Sequence, residues 1–173
     1  MLLTLLKELV EHIQHINISD MEKAIMLIAN TPGKLLIIGN GGSNAIASHM
    51  AEDYSNNYKP TLCFSDTAFM SCFANDYGWE QAFLKWLKLF AVAKQDTLIL
   101  ISSSGASRNI IHCAQWAKEN EFPLITLSGF KSGNPLRQMG NVNFWVNSTS
   151  YKDVEITHLV ILHTMLEALI AKK

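Results

Sequence analysis

Two histidine and two acidic side chains are spaced so that they could carry out acid–base or metal chemistry. His49 and Asp53 are four residues apart in a segment of helical composition, so they would share one helix face and could converge on one ligand or metal. Glu155 and His163 are eight residues apart, which separates them by about 80° around a helix and about 12 Å along it. They could reach one site only if Glu155 lay at a bent or frayed helix start. His158 lies three residues after Glu155, so periodicity alone does not select the functional histidine.

A run of small residues forms a second candidate site, with the sequence Ser102-Ser103-Ser104-Gly105-Ala106-Ser107. It connects a predicted strand to a predicted helix. The start of a helix has unpaired N–H groups and a partial positive charge, so small residues there allow an anion to approach closely. The serine hydroxyls add further donors, which favours phosphate binding. A serine-rich turn that only caps the helix is the alternative interpretation.

A glycine-rich loop precedes the segment that contains His49, with the sequence Gly39-Asn40-Gly41-Gly42-Ser43. No Gly-Lys-Ser/Thr follows it, and its glycine spacing differs from the G-x-G-x-x-G dinucleotide pattern. Nucleoside triphosphates and NAD are therefore not expected as ligands.

The secondary-structure elements that must position these loops alternate along the chain. Short apolar runs predict strands over residues 35–38, 61–64, 97–101, 124–127 and 142–146. Helices are predicted over 2–15, 19–29, 45–54, 109–119 and 155–171, and Ser19 with Glu22 predicts the cap of the second. Strands alternating with helices predict an α/β fold with a parallel sheet covered on both faces and ligands at the carboxyl ends of the strands. We expect a single domain over 1–173, with 1–31 as an N-terminal helical extension.

The composition excludes several classes of protein. The 173 residues are 49% hydrophobic and 17% charged, with a net charge of −1 and no dense run of Lys or Arg, so neither nucleic acid nor an anionic membrane is an expected partner. No apolar stretch approaches the length that crosses a bilayer, and the leucine-rich N-terminus does not have the pattern of a secretion signal. Cys63, Cys72 and Cys113 are widely spaced, which suits a reducing compartment. We expect a cytoplasmic protein.

The motifs, taken in order, resemble those of bacterial phosphoheptose isomerases in the SIS sugar-phosphate-binding superfamily. They are the glycine loop, His49 with the acidic pair Glu52-Asp53, the segment Phe73-Ala74-Asn75-Asp76-Tyr77-Gly78, the serine loop, and a final helix with Glu155, His158 and His163. The similarity covers nearly the whole chain. It implies the SIS fold, a three-layer sandwich in which helices flank a five-stranded parallel sheet, preceded by N-terminal helices.

The resemblance also implies an activity, the aldose–ketose isomerisation of sedoheptulose 7-phosphate to D-glycero-D-manno-heptose 7-phosphate, or of a closely related sugar phosphate. The reaction passes through an enediol and supplies nucleotide-activated heptose for surface polysaccharide such as lipopolysaccharide. By this analogy Asp53 is the base and His163 the acid. The expected substrate-binding residues are Asn40, Gly41, Gly42, Ser43, Asn75, Asp76, Ser102, Ser103, Ser104, Ser107 and Glu155.

Some members of this family bind zinc, and the corresponding positions here are His49, Asp53, Glu155 and His163. The family commonly forms homotetramers with active sites at subunit interfaces, so we expect a homotetramer. An alternative is a non-catalytic SIS protein that binds a protein partner, as adaptors of a replication initiator do. The retained acid–base pair Asp53 and His163 favours the enzyme, because an adaptor has no chemical need for it.

The sequence departs from the family pattern near the expected site. Asp53 replaces the usual Glu, which shortens the side chain by one methylene, roughly 1.5 Å, and a misplacement near 1 Å can cost about a hundredfold in rate. Glu155 replaces a Gln and adds a negative charge that would attract a divalent cation. Lys152 replaces a usually acidic residue, and the segment 55–61 is shortened and lacks the family's Arg. These changes predict altered sugar specificity.

Overall fold

The computed structural model describes residues 1–172. The chain contains seven α-helices, five β-strands and one short 3₁₀ helix in this part. The helices are α1 Leu2–Gln14, α2 Ile18–Asn30, α3 Gly42–Asn57, α4 Thr67–Tyr77, α5 Trp79–Phe90, α6 Arg108–Glu119 and α7 Tyr151–Ile170, with the 3₁₀ helix at Leu136–Gln138. The strands are β1 Leu35–Gly39, β2 Thr61–Cys63, β3 Thr97–Ser102, β4 Leu124–Ser128 and β5 Val142–Trp145. Among these helices, none is both long and apolar enough to span a bilayer.

The five strands form one parallel sheet in the order β2-β1-β3-β4-β5. The strand order reverses next to β1, because β2 lies on one side of it and β3 on the other. Loops that follow β1 and β3 therefore open at the same edge of the sheet, where ligands of α/β proteins bind. The predicted α/β class with a five-stranded parallel sheet is confirmed.

Successive side chains of a strand point to opposite faces of the sheet, so each strand contributes to both helical layers. Leu35 and Ile37 of β1 pack in the layer with α2, α3 and α7. Leu36 and Ile38 pack in the layer with α4, α5 and α6. All four side chains are fully buried, so β1 is apolar on both faces, as a central parallel strand must be.

Several predicted helices begin earlier than expected, and two further helices were not predicted. The second begins at Ile18 rather than 19, and Asn17 rather than Ser19 caps it, accepting a hydrogen bond from the Asp20 amide. The third begins at Gly42, three residues earlier than predicted, and the last begins at Tyr151, four residues earlier. Helices α4 and α5 were not predicted. They meet at Gly78, whose positive φ of 76° ends one helix and starts the next.

Candidate functional site

Asp53 lies between two histidines at the contact of α3 and α7. Its Oδ2 atom is 3.3 Å from His49 Nε2 and 3.7 Å from His163 Nδ1. The two imidazole rings meet edge to face with centroids 5.2 Å apart. The Asp53 side chain is 25% exposed, so the carboxylate can be reached from solvent. The structure thus brings together the predicted base Asp53, the predicted acid His163 and the predicted metal ligand His49.

A buried tyrosine ties α3 to α7 beside this cluster. Tyr54 follows Asp53 directly, and its hydroxyl donates a hydrogen bond of 3.1 Å to the carbonyl oxygen of Leu162, the residue before His163. Burial raises the pKa of Tyr54 well above its usual value, so the hydroxyl keeps its proton and remains a donor. This bond fixes the two helices at the level where Asp53 faces His163.

Glu155 does not join the cluster, and the expected four-residue metal set is wrong on this point. Because α7 begins at Tyr151, Glu155 lies inside a regular helix and not at the frayed start that convergence with His163 required. Its carboxylate instead packs against Gly42 in the first turn of α3, where a Cβ atom would overlap both carboxylate oxygens. Glu155 therefore faces the glycine loop.

The serine loop between β3 and α6 is held by hydrogen bonds among its own residues. Ser102 Oγ donates to Ser107 Oγ at 3.1 Å, and the Ala106 amide donates to Ser104 Oγ at 3.2 Å. Ser107 occupies the cap position of α6, but its side chain caps no helix N–H. The amide groups of Ser104 and Ser107 have no partner among the described residues. The simple capping interpretation is thus not supported, and free donors remain for an anion.

An asparagine pair joins the glycine loop to the first turn of α6, directly after the serine loop. The carboxamides of Asn40 and Asn109 exchange two hydrogen bonds, each of 2.9 Å. A second link runs from Ser43 Oγ to Ser103 Oγ at 3.4 Å. Sequence reasoning selected Asn40, Ser43 and Ser103 but missed Asn109, because no short-range pattern connects residues 69 positions apart.

The remaining predicted residues have different surroundings. Gly41 has a positive φ of 53° and lies exposed directly before α3. Asn75 and Asp76 are exposed on α4, and their side-chain hydrogen bonds stay within that helix: Asn75 donates to Asp76, and Asp76 accepts from Cys72. Within the described residues, these two side chains form no bond to either loop.

His158, the alternative histidine of the last helix, is fully buried and lies outside the Asp53 cluster. It forms a hydrogen bond of 3.1 Å with the carbonyl oxygen of Ser128, for which Nε2 must carry the proton and donate. Burial lowers the pKa of His158 to about 4, and the bond to Ser128 opposes this shift only in part. The imidazole is therefore neutral at physiological pH and has a structural role.

The cluster on α3 and α7 has a donor set that suits a metal ion. One ligand atom each from His49, Asp53 and His163 lie within 4.8 Å of one another. Two imidazoles and one carboxylate are the protein ligands of many catalytic zinc sites, which leave a fourth position for water or substrate. The half-exposed His49 and His163 side chains leave room for such a position.

Comparisons with known proteins identify a family for this chain. Residues 3–129 match the SIS domain family. The phosphoheptose isomerase of Proteus mirabilis is 34% identical over 162 residues, which cover 87% of this chain and 83% of that one. The structure of phosphoheptose isomerase from Neisseria gonorrhoeae superposes with a TM-score of 0.87 at 25% identity over 97% of both chains. A phosphoheptose isomerase from Francisella tularensis gives a TM-score of 0.84 at 26% identity, covering 97% of this chain and 93% of that one.

Proposed function

The chain belongs to the phosphoheptose isomerase family of SIS domain proteins, and we propose that it interconverts sedoheptulose 7-phosphate and D-glycero-D-manno-heptose 7-phosphate, or a closely related pair. The observation that supports this proposal best is the distance of 3.7 Å between Asp53 Oδ2, of the proposed base, and His163 Nδ1, of the proposed acid. An aldose–ketose isomerisation needs both groups within reach of adjacent substrate atoms.

The proposed reaction removes two protons from the substrate and adds two protons to it. The Asp53 carboxylate takes the proton from the carbon beside the ketose carbonyl, while His163 gives a proton to the carbonyl oxygen, and an enediol results. Return of a proton to the former carbonyl carbon, with loss of a proton from the terminal hydroxyl, yields the aldose. The serine loop holds the phosphate through Ser102, Ser103, Ser104 and Ser107 during both steps.

The sugar chain is proposed to lie along the glycine loop between these two ends. Asn40, Gly41, Gly42, Ser43 and Glu155 surround this path, and Asn75 with Asp76 complete it in our proposal. Glu155 presents a carboxylate that has no hydrogen-bond or ion-pair partner among the described residues, so it can accept hydrogen bonds from sugar hydroxyls.

Zinc is the proposed cofactor, held by His49, Asp53 and His163. When bound, it would polarise the substrate carbonyl as a Lewis acid. Calorimetric titration of the purified protein with zinc tests this proposal directly, because it reads binding and not activity. His49→Gln should weaken the binding, whereas His112→Gln, a change of another helical histidine, should leave it unchanged.

A homotetramer with active sites at subunit interfaces is the proposed assembly. Helix α1 buries none of its residues in the protomer, and Leu2, Leu3 and Leu6 are each more than 60% exposed, which supports a subunit contact there. Asp53 lies eleven residues beyond Gly42 along α3, a rise of about 16 Å. A substrate gripped by the serine loop must therefore extend along α3 or meet the cluster of a neighbouring subunit.

We further propose that the protein works in the cytoplasm and feeds nucleotide-heptose synthesis for lipopolysaccharide or related surface polysaccharide. The free thiols of Cys63, Cys72 and Cys113 support a reducing compartment.

A coupled assay with sedoheptulose 7-phosphate, with and without zinc, tests the function. Asp53→Asn and His163→Gln should each lower kcat by about a hundredfold to ten-thousandfold, the usual share of a general acid or base. Glu52→Gln is the matched control, since Glu52 is the exposed neighbour of Asp53 on α3 and should tolerate loss of its charge. A wild-type protein that assembles but turns over none of the ketose phosphates tested would replace the enzyme with the adaptor alternative.

A further inference from the structure

The turn of the serine loop lies against a buried asparagine that the proposed chemistry does not use. Gly105 has a positive φ of 63°, and its amide donates to the Ser102 carbonyl at 2.9 Å to close the turn. The carboxamide of Asn134 packs so closely on Gly105 that a Cβ atom at residue 105 would overlap the Oδ1 and Cγ atoms of Asn134. Glycine is therefore required at 105 for two reasons, its backbone conformation and the space that Asn134 occupies.

Asn134 uses its whole carboxamide to shape the segment after β4. Only 4% of the residue is exposed. Its Nδ2 atom donates to Ser128 Oγ at 3.3 Å and to the carbonyl oxygens of Gly129 at 3.1 Å and Lys131 at 2.9 Å. Its Oδ1 atom accepts from the Arg137 amide at 3.0 Å. One side chain thus holds both ends of the segment 128–137 together.

This segment in turn holds the serine loop from the side opposite the cradle. The Gly129 amide donates to the Ser103 carbonyl at 2.9 Å, and the Leu136 amide donates to the Gly105 carbonyl at 3.1 Å. Two carbonyl oxygens of the loop are thereby directed into the protein. The Ser104 and Ser107 amides of the loop have no partner among the described residues, so these donors remain for an anion.

We infer that Asn134 is a positioning residue for the phosphate cradle: by holding the segment 128–137 against Gly105, it keeps the serine loop in the conformation that presents its donors to phosphate. The inference rests on the proposed function, in which this loop binds the substrate phosphate. Asn134 itself is expected to touch no substrate, because its four hydrogen-bonding contacts are all internal.

Asn134→Asp and Asn134→Ala test this inference together. Asp keeps the shape but cannot donate, and Ala removes the contacts without adding a charge. The matched controls are Asn143→Asp and Asn143→Ala. Asn143 also bridges separate segments with its carboxamide, accepting from Thr126 Oγ1 at 2.7 Å and from the Gly140 amide at 2.8 Å and donating to the Gly140 carbonyl at 2.8 Å, but it contacts no part of the serine loop.

The measurements are the inhibition constant of inorganic phosphate, KM, kcat and the thermal midpoint. Both Asn134 variants should raise the phosphate constant and KM by about tenfold, as expected for loss of one well-placed donor to an anion, and should change kcat by less than about threefold. The Asn143 variants should lower the thermal midpoint by about as much as the Asn134 variants do. Their inhibition constant for phosphate should stay within about twofold of the wild-type value.

Three results would overturn the inference. One is an unchanged phosphate constant in both Asn134 variants when the wild type binds phosphate. Another is weakening by Asn134→Asp alone, which would trace the effect to the added charge. The third is equal weakening by the Asn143 variants, which would trace it to stability. Failure of the proposed function appears differently, as a wild-type protein that neither binds phosphate nor turns over substrate.

Discussion

Acidification should destabilise this protein through one buried histidine. His158 is fully buried on α7 and neutral, and its Nδ1 atom has no hydrogen-bond partner among residues 1–172. Its pKa falls from 6.5 to about 4 on folding, chiefly because burial disfavours the charged imidazole. Between these values the unfolded chain binds a proton that the folded chain does not, so stability must fall as pH is lowered. The interval is about 2.5 pH units, and at about 1.4 kcal/mol per unit the total loss is about 3.5 kcal/mol.

Urea unfolding at half-unit steps from pH 7 to pH 4 measures this loss. The test variant is His158→Gln, whose amide can still donate to the Ser128 carbonyl but does not titrate. The free energy of unfolding of the variant should fall less steeply than that of the wild type by about 1 kcal/mol per pH unit in the middle of this range. His15→Gln, at an exposed histidine, should keep the wild-type slope. Parallel curves for the wild type and His158→Gln would refute the reasoning.

Three further changes probe side-chain contacts between separate elements of the fold. Tyr54→Phe deletes only the hydroxyl that joins α3 to α7. We expect the free energy of unfolding in urea to fall by about 1 kcal/mol and kcat to fall about threefold to tenfold, with an unchanged inhibition constant for phosphate. An unchanged kcat would show that the hydroxyl does not position the site. Asp96→Asn breaks the ion pair of the buried Asp96 with Lys34 and should lower the free energy of unfolding by about 3 kcal/mol. A loss below about 1 kcal/mol in urea denaturation would contradict this prediction. Gly42→Ala should push Glu155 aside, raising KM for the sugar phosphate while stability changes by less than about 1 kcal/mol; an unaltered KM would count against a sugar-facing Glu155.

The sheet was predictable because parallel strands leave a local signal. All five predicted strands are present. The central strands give the clearest signal, because a strand buried on both faces must be apolar throughout, as the run from Leu35 to Ile38 shows. Helices α4 and α5 were missed because their stability comes from packing. Phe73 and Phe83 both pack on Phe64 at the end of β2, and the separation of these aromatic residues in sequence hides that contact.

The candidate site was partly predictable for the same reason. The spacing of His49 and Asp53 is a property of one helix, and the structure shows it as predicted. The position of Glu155 depended on where α7 begins, and the Ser150 cap that sets this boundary was not identified from the sequence. Asn109 and Asn134 could not be selected at all, because each acts through partners brought close only by the folded sheet.

The reciprocal carboxamide pair of Asn40 and Asn109 has a consequence for how this protein can change. The two carboxamides bond each other and Asn109 is buried, so replacing one leaves the other without its partner. Replacing both with apolar residues of similar size removes that mutual requirement. Each single substitution should therefore lower stability more than the double substitution does, and residues 40 and 109 should covary among related sequences. Because of this non-additivity, a change at one of the two positions would constrain which residues are tolerated at the other.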